Sequence, residues 1–237
     1  MKADEINLRI MSNARMYHAW IYDNIKRYLG NDVLEIGAGV GNMTEFLLDG
    51  REVLATDISD TNLSALKERF KDNNRLKVSN ADISRGIASL NSRSFNTIVC
   101  INVLEHIEDD IGCLENLRSL LSPEGKLVLV LPAFKFAYGT IDKADEHYRR
   151  YDKGILAQLS RIGFRTVKAR YMNLPGLFGW IWHGIILKLD IHHASDLDLF
   201  DKLVPVFSAV EKLFPFLPGL SLIVVCEKAP DIKADKD

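Results

Sequence analysis

The chain has 237 residues, of which 47% are hydrophobic and 26% are charged, and its formal net charge is -2. The length suits one α/β domain with an insertion or a small lid, and the composition excludes a globally disordered chain. The mildly acidic balance also disfavours a nucleic-acid-binding surface, because such surfaces are usually basic.

Neither the cysteines nor the apolar segments indicate secretion or membrane insertion. Cys100, Cys113 and Cys226 form no CxxC pair, which favours buried free thiols in a reducing cytosol. The first residues are charged and lack the apolar core of a signal peptide. The longest apolar stretch, residues 174–189, is short for a membrane span and contains a proline and several glycines. We therefore predict a cytoplasmic protein.

Strand and helix patterns alternate along most of the chain. Strands are predicted at residues 32–38, 52–58, 76–83, 95–103, 126–131, 166–172 and 221–227. Helices are predicted at residues 42–49, from Ser59 or Asp60 onward, at 109–121, and around 155–162 with a cap at Asp152. Residues 122–125, SPEG, are predicted as a turn. The alternation predicts a mostly parallel sheet with helices on both faces.

Two segments are predicted as additions to this domain. Residues 1–30 are predicted as an N-terminal helical lid, with packing of that helix on the domain as the simpler alternative. Residues 31–237 form the main domain, with a helical insertion at about 173–220. This apolar insertion is expected to pack on the sheet and to wall a substrate. A dimer surface is an alternative, and membrane contact is a less favoured one.

A glycine loop follows the first predicted strand in the stretch VLEIGAGVGNMTEFL. It holds Gly37, Gly39 and Gly41 but matches neither the GxGxxG dinucleotide pattern nor the Walker pattern. Glycines permit a tight turn and close approach of the backbone to a ligand. Asp57 ends the next strand, roughly 20 residues past the loop, where an acid can bind ribose hydroxyls. The pattern favours an adenosine-type ligand, and a simple strand-to-helix turn is the alternative.

An ordered series of motifs resembles the class I S-adenosylmethionine-dependent methyltransferases of the small-molecule type. The series comprises VLEIGAGVGNMTEFL, VLATDIS, SNADIS, FNTIVCINVLEHIEDD and SPEGKLVLVLPA, and it spans about residues 33–133. The resemblance implies a Rossmann-like, mostly parallel sheet of seven strands whose last strand is antiparallel. It also implies S-adenosyl-L-methionine as the cofactor and S-adenosyl-L-homocysteine as the product.

The same resemblance implies which residues surround the methionine part of the cofactor. Glu35 would orient the glycine loop, and Asn102 and Val103 would lie beside the methionine part. The loop residues expected to face it are Gly37, Ala38, Gly39 and Gly41.

Four further residues are implied for the adenosine part. Asp57 would bind the ribose hydroxyls, and Ile58 would pack on the adenine. Asp82 would accept a hydrogen bond from the adenine amino group, and Ile83 would give a backbone contact. No metal site is predicted from the sequence.

Three aromatic or imidazole side chains are candidates near the acceptor. His147 is predicted to take a proton from an acceptor hydroxyl, because imidazole titrates near neutral pH. His106 lies in a segment that, in the resembled family, is near the methyl group; it is a candidate base or a contributor to the next helix start. Tyr17 is predicted to reach the pocket from the N-terminal lid.

The motif DEHYRRYD, residues 145–152, resembles a segment of methyltransferases found beside glycosyltransferases and in natural-product pathways. Tyr148, Arg149 and Arg150 are predicted to bind substrate, the arginines by clamping a phosphate or carboxylate. The alternative is a charged loop in which both arginines pair with Asp145 and Asp152.

The function that follows is methyl transfer from S-adenosylmethionine to an oxygen or nitrogen of a small molecule, such as a sugar or a nucleotide-linked or lipid-linked intermediate. A nucleic-acid acceptor is disfavoured. Members of the resembled family that methylate base amino groups carry an Asn/Asp-Pro-Pro-Tyr pattern, and residues 102–105 lack it. A non-catalytic cofactor-binding partner subunit is the alternative. A nicotinamide-dependent oxidoreductase is less favoured, since GxGxxG is missing. Monomer and homodimer remain open.

Overall fold

The computed structural model describes residues 14–86, 90, 93–189 and 194–230. The first 13 residues of the predicted N-terminal lid therefore lie outside the described residues.

One seven-stranded sheet organises the described chain. Its strands are β1 Asp32–Ile36, β2 Glu52–Asp57, β3 Leu76–Asn80, β4 Phe95–Ile101, β5 Leu121–Pro132, β6 Phe164–Met172 and β7 Ser221–Lys228. The spatial order is β3-β2-β1-β4-β5-β7-β6. All pairs are parallel except those of β7, which is antiparallel to both β5 and β6. The predicted Rossmann-like sheet with an antiparallel last strand is confirmed.

Helices connect the strands and cover the sheet. They are α1 Arg15–Ile25, α2 Thr44–Leu47, α3 Asp60–Arg69, α4 Asp110–Ser119, α5 Thr140–Ala144, α6 Ile155–Arg161, α7 Leu174–Trp180 and α8 Ala194–Leu213. Short 3₁₀ turns lie at Lys26–Tyr28, Leu104–His106 and Lys135–Ala137, and a π-helical turn at Ile181–Ile186 continues α7. None of the helices in the described ranges combines the length and the apolar character that crossing a bilayer requires.

Two buried apolar layers pack on opposite faces of the sheet. Neighbouring strand residues point to opposite faces, so Leu34 and Ile98 join one layer while Val33 and Val99 join the other. Strands buried on both faces must be almost continuously apolar, which is the pattern that made them recognisable in the sequence.

Of the two predicted helix caps, the one at Ser59 is confirmed and the one at Asp152 is wrong; Asp109 is a further cap that was not predicted. Ser59 caps α3 by accepting from the amide of Asn62, and Asp109 caps α4 by accepting from the amide of Gly112. The predicted cap of α6 at Asp152 was wrong, because the cap position is Gly154. The Asp152 carboxylate instead accepts from the amide of Gly154 itself, at 2.8 Å, before the helix begins.

The SPEG segment also differs from its prediction. Residues 122–125 lie within β5 rather than in a turn between elements, and the pairing with β4 shifts register there. Glu124 has a φ of 61°, which produces the local irregularity that the turn-forming residues indicated.

The N-terminal helix and the insertion are held against each other. Tyr17, Trp20 and Ile21 of α1 are buried. The amides of Met16 and Tyr17, at the start of α1, donate to the carboxylate of Asp201 on α8, at 3.1 and 2.8 Å. A carboxylate from a distant helix thus satisfies amides that the first turn leaves unpaired. These contacts bring both segments to the carboxyl edge of the sheet.

The insertion keeps much of its apolar surface in solvent. On α8 the inner face buries Val204, whereas an outer stripe is exposed at helical spacing; it consists of Leu199, Leu203, Val206, Val210 and Leu213. Packing on the domain therefore explains the apolar residues on the inner face of α8 but not those of the exposed stripe.

Candidate active site

The glycine loop leaves the end of β1 in a conformation that requires glycine. Gly37 and Gly41 have φ values of 69° and 89°. A Cβ atom on Gly37 would lie 2.3 Å from Cγ2 of Val103, and one on Gly41 would lie 2.5 Å from Cδ1 of Leu66. The loop is therefore packed tightly against neighbouring elements and exposes its backbone along one side.

Asp57 fixes this loop from the end of β2. Its carboxylate accepts from the amide of Gly39 at 2.8 Å and from the amide of Ser59 at 2.9 Å. Oδ1 also accepts from the side-chain amide of Asn62 at 3.3 Å, so Oδ2 is the oxygen that keeps a lone pair for a hydrogen bond from a ligand. Ile58 follows with 71% of its side chain exposed, as an apolar surface beside that carboxylate.

Asp82 and Ile83 lie just beyond the end of β3. The carboxylate of Asp82 accepts from the amide of Ser84 and pairs with Arg85. The hydrogen bond from the Ser84 hydroxyl lowers the pKa of Asp82. Burial raises that pKa, but by less. Ile83 is buried in the core, so its backbone is the part that remains for ligand contact.

Glu35 is a buried acid beneath the loop. It accepts a hydrogen bond from the hydroxyl of Thr44 at 2.6 Å. Burial raises the pKa of Glu35 to about 8; the Thr44 hydrogen bond lowers it, and the nearby charge of Asp57 adds to the rise. Through Thr44, Glu35 connects β1 to α2 and so helps to fix the two ends of the loop.

A cavity of about 470 Å³ opens beside the loop at the carboxyl edge of the sheet. The loop forms one side, and α1 contributes Tyr17 and His18. The segments after β4 and β5 supply polar groups, and the insertion supplies Trp180 and Phe200. The insertion therefore forms a wall of the cavity.

The structure brings together many of the predicted site residues, but not all of them. Those that line the cavity are Tyr17, Glu35, Gly37, Ala38, Gly39, Asn102, His106, His147 and Arg150. Those outside its lining are Gly41, Asp57, Ile58, Asp82, Ile83, Val103, Tyr148 and Arg149. The predicted adenosine contacts thus lie outside the lining of this cavity, whereas most of the predicted acceptor contacts lie within it.

Asp142 organises the acceptor side of the cavity, and sequence reasoning did not identify it. Its fully buried carboxylate accepts from Nδ1 of His147 at 2.9 Å and from Nε of Arg150 at 2.7 Å. The amide of Gly139 and the indole of Trp180 also donate to it, at 2.9 and 3.3 Å. Burial raises the pKa of Asp142, but the bond from His147 and the charge of Arg150 outweigh it and lower that pKa overall.

The two arginines of the DEHYRRYD motif have different environments. Arg150 is buried, and Trp180 lies 4.3 Å from its guanidinium. Its Nη2 atom has no hydrogen-bond partner among the described residues. Arg149 pairs instead with Asp110 at 2.8 Å, outside the cavity lining. The alternative pairing of both arginines with Asp145 and Asp152 is wrong, because their carboxylate partners are Asp142 and Asp110.

Tyr148 lies beside Arg149 on the outer surface. Its side chain is 55% exposed and its ring stacks near the Arg149 guanidinium, at 5.8 Å. Of the predicted substrate-binding residues in this motif, Arg150 is therefore the one that reaches the cavity.

A buried acid and two histidines meet at the polar end of the cavity. The carboxylate of Glu105 is fully buried, and neither of its oxygens has a hydrogen-bond partner within the described part of the chain. The rings of His106 and His147 are nearly perpendicular, with centroids 4.6 Å apart. Burial raises the pKa of Glu105 to about 7, although His147 and Arg150 lower it.

Comparison with known proteins agrees with this geometry. A family described as a methyltransferase domain matches residues 34–127, which include the glycine loop, Glu105 and His106. Over these residues the chain therefore matches a methyltransferase domain. The methyltransferase resemblance predicted from the ordered motifs is thus confirmed over these residues.

Curated relatives resemble part of this chain. It is 29% identical over 136 residues to a non-reducing polyketide synthase of Penicillium brasilianum, covering 52% of the chain and 6% of the synthase. It is 26% identical over 105 residues to a ubiquinone biosynthesis O-methyltransferase of Haemophilus ducreyi, covering 42% of the chain and 44% of that protein. The chain therefore spans less than half the length of either relative.

The fold is shared with solved methyltransferases. The phosphoethanolamine N-methyltransferase 2 of Haemonchus contortus, solved with S-adenosyl-L-methionine, superposes with a TM-score of 0.60 at 19% identity. The alignment covers 87% of this chain and 51% of that one. At this level of identity the likeness concerns the fold.

Proposed function

We propose that this protein transfers the methyl group of S-adenosyl-L-methionine to an oxygen or nitrogen of a small-molecule acceptor. One observation carries the proposal: the glycine loop and the pair His106 and His147 line a single cavity of about 470 Å³. A cofactor held by the loop would therefore present its methyl group to a polar acceptor site in the same cavity.

The residues around the loop fit this cofactor. The loop offers backbone at close range, Asp57 retains acceptor capacity for ribose hydroxyls, and Ile58 offers an exposed apolar surface for the adenine. Asp82 and Ile83, just beyond the end of the neighbouring strand β3, are the other two predicted contacts of the adenosine part. When bound, the cofactor supplies a methyl group on a sulfonium sulfur; the acceptor's lone pair takes the methyl, and the electron pair of the broken C–S bond stays on sulfur.

The chain's own contribution is positioning and exclusion of water. The N-terminal helix and the insertion cover the cavity through Tyr17, Trp180 and Phe200. Holding donor and acceptor in line within such a cover can supply much of the rate. The proposed lid role of residues 1–30 is supported by α1, whose Tyr17 and His18 line the cavity.

The acceptor would lie against the polar end of the cavity. Asp142 accepts from Nδ1 of His147, which orients the imidazole with Nε2 available to the acceptor. Nη2 of Arg150 is a donor at the cavity wall and would bind an oxygen of the acceptor. Both positions support an acceptor with oxygen-bearing groups, in line with the small-molecule acceptor predicted from the sequence.

Calorimetric titration with S-adenosyl-L-homocysteine tests the cofactor assignment, with NADH as the control ligand. We expect one site of micromolar affinity for the first and no binding of the second. Binding of NADH without S-adenosyl-L-homocysteine would overturn the proposal in favour of an oxidoreductase.

Turnover separates an enzyme from a cofactor-binding partner subunit. The purified protein would be incubated with methyl-labelled cofactor and pools of hydroxyl-bearing and amine-bearing small molecules. Label transfer without another protein supports the proposal. Binding of S-adenosyl-L-homocysteine, with transfer only after a partner protein is added, would favour the partner subunit.

A further inference from the structure

We infer that Glu105, His106 and His147 together bind a divalent cation, which holds a hydroxyl group of the acceptor beside the cofactor. The inference rests on the proposed function for its chemical role, but the cation site stands on its own geometry. No metal site was predicted from the sequence, in which His147 is distant from the other two residues.

The three side chains are close enough to share one cation. Each offers a ligand atom, and these atoms all lie within 4.8 Å of one another. Nitrogen and carboxylate oxygen ligands bind such cations at about 2.0–2.2 Å, so small side-chain adjustments would close the site. The 3₁₀ turn Leu104–His106 presents two of the ligands, and the segment after α5 presents the third.

The burial of Glu105 is the strongest sign that a positive charge belongs there. Its side chain is fully buried and lines the cavity, yet both carboxylate oxygens are without a hydrogen bond among the described residues. Burying an unpaired carboxylate is costly unless it meets a cation or a donor. The buried guanidinium of Arg150 lines the same cavity but forms no hydrogen bond to Glu105: its Nε donates to Asp142, its Nη1 to the carbonyl of Ala133, and its Nη2 to no described residue.

The surroundings of His147 match those of a metal-binding imidazole. Its Nδ1 atom is bonded to the Asp142 carboxylate, which leaves Nε2 to act as the ligand. Histidines that bind metals usually donate their other N–H to a carboxylate or carbonyl, which fixes the ring and the tautomer. Asp142 is itself held by Arg150, Gly139 and Trp180, so the orientation of the imidazole is firmly set.

The ligand set also indicates which cations fit. One carboxylate with two imidazoles suits first-row divalent cations such as Mn²⁺, Co²⁺ and Zn²⁺ better than Ca²⁺, which prefers oxygen ligands alone. Three protein ligands leave positions open for oxygens of the acceptor. A bound hydroxyl would have a lowered pKa and would lose its proton to solvent, so the cation rather than His147 would activate it.

Direct measurement of Mn²⁺ binding tests this site without requiring turnover. The full chain would be treated with EDTA, dialysed, saturated with S-adenosyl-L-homocysteine and titrated with MnCl₂, with calorimetry and the electron paramagnetic resonance of free Mn²⁺ as readouts. We expect one Mn²⁺ per chain. Glu105→Gln and His147→Asn should each weaken binding at least tenfold.

The control is His18→Asn, which changes another histidine of the same cavity outside the cluster. It should bind Mn²⁺ like the wild type. An unchanged affinity for S-adenosyl-L-homocysteine would show that the variants are folded. Stoichiometric binding lost in the two cluster variants but not in the control supports the site. Absence of wild-type binding, or equal binding in all variants, would overturn it.

The result also separates this inference from the proposed function. If S-adenosyl-L-homocysteine binds and Mn²⁺ does not, the cation site is rejected while the methyltransferase proposal stands. If Mn²⁺ binds as expected and S-adenosyl-L-homocysteine does not, the cation site stands and the proposed function is rejected.

Discussion

The Asp142 carboxylate lies 2.9 Å from Nδ1 of His147, and both side chains are almost fully withdrawn from solvent. Several donors lower the pKa of Asp142, so the carboxylate is ionised and Nδ1 of His147 must donate the proton of this bond. In the neutral form of the imidazole, the lone pair is consequently on Nε2. This holds whether Nε2 meets the acceptor or a cation.

Asp142→Asn should disable His147 without removing it. The amide would donate to Nδ1 and so move the imidazole proton to Nε2, which could then neither accept a proton nor bind a cation. We expect turnover to fall about 10²-fold or more, with the affinity for S-adenosyl-L-homocysteine unchanged within about twofold. Nitrogen NMR of His147 reports the tautomer directly. An unaltered tautomer together with full turnover would show that Asp142 is structural only.

His147→Ala removes the imidazole itself and complements that experiment. Turnover should fall while cofactor affinity stays constant, because His147 lines the acceptor part of the cavity rather than the loop. Arg149→Ala is the matched control from the same motif, since Arg149 lies outside the cavity lining. Equal turnover in wild type and His147→Ala would remove His147 from the reaction.

Asp57→Ala should weaken cofactor binding by about 1–3 kcal/mol, the scale of leaving buried hydrogen-bond partners unmet. Two causes combine, because Asp57 both fixes the amide of Gly39 and is the predicted partner of the ribose. Calorimetry with S-adenosyl-L-homocysteine measures the loss. Asp60→Ala is the control, since Asp60 is an exposed acid just beyond the same strand. Wild-type affinity in Asp57→Ala would contradict the assignment.

The sheet could be predicted because its strands are buried on both faces and are therefore continuous apolar runs. Asp57 and the glycine loop could be placed for a related reason, since the ends of parallel strands meet at one edge. Asp142 and Trp180 could not, because no periodic pattern marks the short helices that carry them. Glu105 was also missed: its significance depends on His147, which long-range packing brings beside it.

Gly37→Ala tests whether the loop requires glycine for packing as well as for backbone conformation. The substituted Cβ would meet Cγ2 of Val103 at 2.3 Å, and its φ of 69° is unfavourable for alanine. Gly50→Ala is the matched control, because Gly50 has a φ of 75° and open space around its Cβ position. We expect Gly50→Ala to cost about 1–2 kcal/mol of stability with unchanged cofactor affinity.

Gly37→Ala should cost more stability than Gly50→Ala and should weaken binding of S-adenosyl-L-homocysteine at least tenfold. Adding Val103→Ala should restore part of the stability by removing the clash, but not the part that is due to φ. Thermal denaturation and calorimetry of the four proteins separate the two effects. Equal stability and equal affinity for S-adenosyl-L-homocysteine in Gly37→Ala and Gly50→Ala would show that the loop does not require glycine at position 37 for close packing.

Glu35 should make the stability of the cofactor-free protein fall as the pH rises. Burial raises the pKa of Glu35 from 4.5 to about 8 in the folded chain, so between these values the folded state binds a proton that the unfolded state has lost. The contribution is fully present below pH 4.5 and disappears as the pH passes through about 8. Glu35→Gln, which is neutral at every pH, should lack this dependence.

The two proteins should therefore differ little in free energy of unfolding near pH 5, and Glu35→Gln should be the more stable by on the order of 4 kcal/mol at pH 8. Urea denaturation at several pH values measures both free energies of unfolding. In the difference between the two proteins, the contributions of all other titrating groups cancel. Glu52→Gln serves as the control, because Glu52 is exposed at the start of β2 and its variant should follow the wild-type curve. Parallel curves for wild type and Glu35→Gln would mean that Glu35 stays ionised beneath the loop, held by Thr44 and unaffected by its burial.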